Sequence, residues 1–157
     1  MSLFKKISLI LLVSVLAACQ ATSGLSKKQV KVLQKQGFVL KEEGWTLALP
    51  ERLLFDSNAS DIKANTQTTL LTLAQQLKKV GITRLNINGH TDSTGSQELN
   101  QELSKKRAET VASALVTGGL PASNIKTRGL AASQPIASNE TVEGRAENRR
   151  VTIIVVP

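Results

Sequence analysis

The chain has 157 residues, an apolar share of 41% and a formal net charge of +8, which comes from 20 basic and 12 acidic residues. This length suits one domain, and a single cysteine with a single histidine excludes an internal disulfide and a multi-histidine metal site. Aromatic residues make up 3% and tyrosine is missing, so stacking platforms for bases are scarce and we expect no nucleic acid among the partners.

Residues 1–18 have the pattern of a signal peptide. Two lysines precede an apolar run over residues 7–16, which is too short to cross a bilayer as a permanent helix. Leu16-Ala17-Ala18-Cys19 contains the only cysteine and resembles the lipobox of bacterial lipoproteins. The resemblance implies cleavage before Cys19, palmitate or similar acyl chains on that residue and, because Gln20 follows, an outer-membrane anchor facing the periplasm. A plain secretory leader that leaves an unpaired thiol is the alternative.

A basic segment follows the cysteine. Residues 20–41 contain five lysines and no acidic residue, and Ser26 predicts the N-cap of a short helix that ends near Gln36, with Gly37 as its stop. We expect a lipid-anchored tether over residues 19–41 and one domain over residues 42–157. The tether is either a solvated segment or a surface that binds lipid phosphates or a protein partner.

Strands and helices alternate through the predicted domain. A strand is predicted over residues 45–49, interrupted by Pro50 and resumed over residues 52–55, and Ser60 or Asp61 caps a helix that ends at Gly81. The later predicted elements are a strand over 84–90, a helix from about Gln97 to Thr117, a short strand at Ile125, a loop through Gly144 and a strand over 150–156. This order predicts an α+β fold with helices packed on one sheet.

The helix predicted over residues 97–117 has a charge on its apolar face. Positions that step by four form one ridge, whose apolar members are Leu99, Leu103, Val111 and Leu115. Arg107 is the middle member, and a guanidinium buried there needs a carboxylate or a ligand to offset its desolvation. Asp92, in the loop before the helix, is the nearest candidate, and Asn100 lies about two turns before Arg107 on the same side.

Two interpretations of these residues remain open. Asp92 and Arg107 form a structural salt bridge, with Asn100 capping the helix or bonding the backbone, or the three residues border a cleft. An aspartate holds an ammonium group and an arginine grips a carboxylate, so such a cleft suits a zwitterion. A free amino-acid end on a larger molecule is a ligand of this kind.

Catalysis and metal binding are disfavoured by the same residues. His90 is the only histidine, and no motif for a strained nucleophile accompanies it. His90 and Asp92 lack further identifiable ligands for a metal ion. We therefore predict a binding protein that has neither a cofactor nor an enzymatic activity.

Three motifs resemble the signature of a known family. They are Gly89-His90-Thr91-Asp92-Ser93-Thr94-Gly95, Leu103-Ser104-Lys105-Lys106-Arg107-Ala108 and Asn148-Arg149-Arg150-Val151. This combination is similar to OmpA-like peptidoglycan-binding domains, as in Pal and the OmpA C-terminal domain, and the similarity covers roughly residues 45–156. The resemblance implies a β-α-β-α-β sandwich with one mixed sheet.

The resemblance also implies a ligand and a site. The ligand is the diaminopimelate side chain of the peptidoglycan stem peptide, held without a covalent bond. Asp92 and Arg107 are the expected grips for its ammonium and carboxylate groups. Supporting positions are Asn100, Leu103, Arg149 and the loop over residues 55–58.

A second likeness concerns signalling lipoproteins of the same family. It is carried by the lipobox, Gly37-Phe38, Gly44-Trp45, Pro135-Ile136-Ala137-Ser138-Asn139 and the run from Gly144 to Arg150. It implies an alternative function, in which the chain binds a periplasmic inhibitor protein and so relieves the inhibition of a membrane diguanylate cyclase. The binding surface would be residues 25–50, and the apolar residues expected to be exposed there are Val30, Leu33, Phe38 and Trp45.

Overall fold

A computed structural model of the chain describes residues 24–56 and 59–157. The predicted signal peptide, Cys19 and residues 57–58 of the predicted supporting loop lie outside the described residues. The elements are α1 (Lys27–Lys35), β1 (Val39–Lys41), β2 (Gly44–Pro50), α2 (Glu51–Leu54), α3 (Ala64–Lys79), β3 (Leu85–His90), α4 (Gln97–Thr117), a 3-10 turn (Ala122–Asn124), β4 (Ile125–Gly129), α5 (Val142–Asn148) and β5 (Arg150–Val155). Within the described part, every helix is too short or too polar to cross a membrane.

The five strands form one mixed sheet in the order β1-β2-β5-β3-β4. β3 and β4 are parallel, and the other neighbours are antiparallel. The central strand β5 is buried along its whole length, while α4 packs on β3 and β4 and α3 packs against α4. The prediction of an α+β fold with helices on one mixed sheet is confirmed.

Helix α4 lies unusually close to the sheet. A Cβ atom on Gly89 of β3 would lie 1.9 Å from the carbonyl oxygen of Ser104, and one on Gly129 of β4 would lie 2.6 Å from the Lys105 nitrogen. Only glycine permits this separation, because any side chain there would overlap the helix backbone. The two glycines therefore set the position of α4 against the strand that ends at His90.

The described part of the predicted tether packs into the domain. Ser26 and Gln29 form a capping box at the start of α1, and Gly37, with φ of +86°, reverses the chain into β1, which pairs with β2. Contacts with the core therefore begin before residue 42, where the domain was predicted to start, and already include Leu25. Leu33, Phe38 and Trp45 were expected to be exposed, and the structure buries all three in the core, with Val30 partly buried against it.

Four further local predictions differ from the structure. Residues 51–54 form α2 instead of resuming a strand, and α3 begins at Ala64 because Ile62 pairs with Phe55 in an isolated bridge. The predicted loop before Gly144 contains the start of α5, whose cap is the Thr141 hydroxyl. Leu99 was assigned to the apolar ridge of α4, but its side chain is 67% exposed, because residues 93–99 are all exposed to solvent.

Candidate functional site

A cavity of about 820 Å³ opens where β2 and β3 end beside α4 and α5. All five residues predicted for the site line it, namely Asp92, Asn100, Leu103, Arg107 and Arg149. The cavity is formed by segments far apart in sequence, from the start of α2 to the end of α5. The fold therefore brings the predicted residues to one place.

The loop after β3 holds Asp92 in position. The backbone N–H of Thr94 donates to Asp92 Oδ1 at 2.8 Å. The Asn100 side chain donates to the carbonyl oxygens of Thr94 at 2.8 Å and of Asp92 at 3.5 Å. Asn100 thus bonds the backbone, as one interpretation of the sequence expected, and fixes the loop that presents the carboxylate.

The charged side chains form an alternating chain of ion pairs. Arg149 Nη1 lies 2.7 Å from Asp92 Oδ2, and Arg149 Nε lies 2.7 Å from Glu51 Oε2. Glu51 Oε1 in turn lies 2.5 Å from Arg107 Nη2. The direct salt bridge between Asp92 and Arg107, one of the two interpretations of the sequence, is wrong, because Glu51 and Arg149 stand between them as their partners.

Arg107 is held on several sides. Its side chain is 3% exposed, its Nε donates to the carbonyl oxygen of Ala59 at 3.0 Å, and its guanidinium carbon lies 5.1 Å from the centre of the Phe55 ring. Stacking on an aromatic face stabilises a cation. The guanidinium therefore has a fixed orientation at the cavity wall.

The ion pairs keep the site charged at neutral pH. Burial opposes ionisation of Asp92, but hydrogen bonds from Arg149 and Thr94 outweigh it and hold the pKa of this carboxyl below its usual value. The hydrogen bond to Asp92 raises the pKa of Arg149. Asp92 is consequently an anion and Arg149 a cation across the physiological range.

Two residues of the site went unrecognised as partners of Arg107 in the sequence. Glu51 follows the interrupted strand. The sequence did contain an electrostatic signal for a second acidic residue at the site, since one aspartate cannot neutralise both Arg107 and Arg149. Phe55 belongs to the predicted supporting loop and lines the cavity. Asp56 of that loop is exposed and pairs with Lys63 at 3.5 Å.

The cavity carries balanced charge. Its charged lining residues are four carboxylates and four arginines, namely Glu51, Asp92, Glu143, Glu147, Arg52, Arg107, Arg145 and Arg149. Both signs at short separation in one cavity are complementary to a ligand that carries an ammonium and a carboxylate group. Among the residues that the structure describes, no group of three or more histidine, cysteine or acidic side chains is placed to hold a metal ion.

Comparison with known proteins supports the motif-based resemblance. The sequence model of the OmpA family matches residues 54–149. The chain is 44% identical over 152 residues to the outer-membrane lipoprotein YfiB of Pseudomonas aeruginosa, which covers 95% of this chain and 90% of that protein.

Two solved structures share the fold. The cell wall anchor of the T6SS from Pseudomonas aeruginosa has a TM-score of 0.67 and 26% identity, covering 85% of this chain and 97% of the other. The peptidoglycan-associated lipoprotein from Burkholderia pseudomallei has a TM-score of 0.60 and 28% identity, covering 69% and 89%. With a family model that spans most of the folded part and a relative that matches nearly the whole sequence, the chain belongs to the OmpA family.

Proposed function

We propose that this chain is an outer-membrane lipoprotein that binds peptidoglycan without catalysis, through the diaminopimelate of the stem peptide. The observation that carries the proposal is the charge-balanced cavity that gathers Asp92, Arg107 and Arg149. Similarity to a lipoprotein of the outer membrane and to a peptidoglycan-associated lipoprotein supports it. Acylation of Cys19 after removal of residues 1–18 would supply the anchor, since several acyl chains give stable attachment.

The chemistry of the ligand matches the site. The free end of diaminopimelate carries an amino and a carboxyl group on one carbon atom. Asp92, which stays ionised, is the acceptor for the ammonium group, and Arg107 is the donor for the carboxylate. Leu103 is half-buried in the cavity wall and offers an apolar contact to the methylene groups between the two ends.

Replacing both side chains proposed to bind the ligand, Asp92 and Arg107, should abolish binding to the cell wall. In a pull-down on purified sacculi, we expect the Asp92→Ala/Arg107→Ala variant to lose at least about 90% of the retention of the wild type. Each lost charge-assisted contact weakens binding by roughly tenfold or more. Circular dichroism and thermal unfolding would show that the variant is folded.

A matched control variant removes one acidic and one basic side chain from α4, the helix that carries Arg107. Lys105 and Glu109 form an exposed pair at 3.9 Å on α4, outside the cavity, so Lys105→Ala/Glu109→Ala should be retained like the wild type. Equal retention of the wild type and a folded Asp92→Ala/Arg107→Ala variant would refute the site. Equal losses in both double variants would indicate a general charge effect and refute it too.

A second candidate function rests on the edge of the sheet. Val39 and Leu40 of the edge strand β1 are 59% and 53% exposed. An edge strand with exposed apolar residues suits a protein partner that adds a strand or covers the edge. Together with the 44% identity to YfiB, this favours signalling through a periplasmic inhibitor protein that controls a membrane diguanylate cyclase.

Lysines on this edge should separate the two functions. We expect Val39→Lys/Leu40→Lys to lose co-purification with a periplasmic partner protein while keeping retention on sacculi, because both residues lie outside the cavity. The control is Ile136→Lys/Val142→Lys, which changes residues of similar exposure elsewhere. Loss in both variants, or in neither, would contradict a role of β1. Deleting residues 25–40 is unsuitable, because that deletion removes Leu33 and Phe38 from the core.

A further inference from the structure

Glu51 occupies both arginines of the cavity at once. Its Oε1 lies 2.5 Å from Arg107 Nη2, and its Oε2 lies 2.7 Å from Arg149 Nε. A carboxylate with one oxygen on each of two guanidinium groups is a strong arrangement for an anion in a partly buried site. Glu51 therefore makes the kind of contact that the carboxylate of a ligand would seek.

The guanidinium groups of Arg107 and Arg149 are held in position and cannot move to bind a second carboxylate elsewhere in the cavity. Arg107 is fixed by its bond to the Ala59 carbonyl oxygen and by the Phe55 ring, and Arg149 is also bound to Asp92. Its burial makes Arg107 costly to leave without an anion. One carboxylate must satisfy it in the free protein, and another can take over that role when a ligand binds.

Glu51 can leave without disturbing the backbone. Its N–H donates to the Arg149 carbonyl oxygen at 3.0 Å, and its carbonyl oxygen accepts from the Phe55 N–H at 2.9 Å. The side chain lines the cavity, is 14% exposed and has three rotatable bonds. Rotation of this side chain alone would free the Arg107 Nη2 donor and remove the negative charge beside Arg149 Nε.

We infer that Glu51 is an internal competitor, which holds Arg107 and Arg149 in the free domain and is displaced by the carboxylate of the ligand. The inference rests on the proposed function and adds to it that Glu51 sets the affinity for the stem peptide. It also predicts selectivity: a ligand with a free carboxylate displaces Glu51, whereas one whose carboxylate is amidated lacks the charge to do so.

The experiment is calorimetry with the disaccharide tetrapeptide released from diaminopimelate-containing peptidoglycan. Glu51→Gln keeps the shape of the side chain and removes its charge, so we expect the Kd to fall by about tenfold. A role of Glu51 in positioning the arginines predicts the opposite sign. An unchanged or higher Kd in folded Glu51→Gln would overturn the inference.

Glu147→Gln is the matched control for the charge of the cavity. Glu147 lines the same cavity and forms no ion pair with the described residues, so its loss changes the net charge equally without freeing an arginine. We expect a much smaller change in Kd than for Glu51→Gln, and equal tightening in both variants would overturn competition. If the competition inference fails, binding by the wild type but not by Asp92→Ala/Arg107→Ala would still support the proposed function. If no variant binds the tetrapeptide, the inference and the proposed function are both overturned.

A measurement on the wild type does not depend on the folding of Glu51→Gln. The carboxyl carbon of Glu51 and the Nε groups of Arg107 and Arg149 can be followed by NMR during titration with the same tetrapeptide. Displacement predicts that the Glu51 signal moves toward the value of a solvated carboxylate as the site fills. A Glu51 signal that stays fixed at saturation would overturn the inference.

Discussion

Gly89→Ala should lower the free energy of unfolding by about 3 kcal/mol or more. The new Cβ would lie 1.9 Å from the carbonyl oxygen and 2.7 Å from the carbonyl carbon of Ser104. These are backbone atoms in the middle of α4, so no side-chain rotation relieves the overlap and the helix must move away from β3. Urea unfolding followed by circular dichroism measures the loss.

The same substitution at Gly24 is the control. A Cβ at Gly24 has nothing within 4 Å, and we expect Gly24→Ala to unfold within about 0.5 kcal/mol of the wild type. A Gly89→Ala variant as stable as Gly24→Ala would contradict the close approach of α4 to β3. Because Asp92 follows β3 and Arg107 lies on α4, a folded Gly89→Ala protein should also be retained less on sacculi.

Acidification from pH 6.5 to 4 should lower the free energy of unfolding by about 3 kcal/mol through His90. His90 is 3% exposed, and burial, followed by the charges of Arg150 and Lys41, lowers its pKa from 6.5 to about 4. Between these values the unfolded chain binds a proton that the folded chain excludes. Protonation of His90 therefore does not reduce the free energy of unfolding well above pH 6.5. The free energy of unfolding falls as the pH drops from 6.5 to 4, and the effect of His90 levels off below pH 4.

Urea unfolding between pH 4 and 7.5 measures this slope. His90 is the only histidine, so the difference between the wild type and His90→Gln isolates its contribution from that of the carboxyl groups. The lowered pKa of Asp92 acts at lower pH, because its stabilisation is lost only as the pH falls below the usual aspartate value. A wild type and a His90→Gln variant with parallel pH profiles would contradict the prediction.

Helices with strong local signals were predicted from the sequence almost to the residue. Helix α4 begins after Ser96, whose hydroxyl accepts from the Leu99 N–H, and it ends at Gly118, as the spacing predicted. Helix α1 has its capping box at Ser26 and ends before Gly37. These signals lie within a few residues of the helix ends, so they can be read without the rest of the fold.

Features that depend on distant contacts were missed. Helix α2 has four residues, which is too short to show a helical period, and its Leu54 is apolar as a strand residue would be. Phe38 and Trp45 are buried because β1 folds back on β2, and a short basic segment does not reveal that pairing.

The residues predicted for the site line one cavity, but the sequence did not show how their charges pair. Arg107 was recognised because a charge in an apolar ridge is a local anomaly, and Asp92 because it follows a strand. Glu51, the partner of Arg107, lies 56 residues from it along the chain. The sequence does not show which strand ends meet. Only the fold places Glu51 between Arg107 and Arg149.

The packing of α1 against the core limits how far the domain can stand from a membrane. With α1 packed against α3 and β1 paired with β2, only residues 20–26 separate Cys19 from α1. Even a fully extended stretch of that length spans at most about 25 Å. If Cys19 carries the proposed lipid anchor, the domain stays next to the membrane, and the cell wall must come within reach of the cavity for binding to occur.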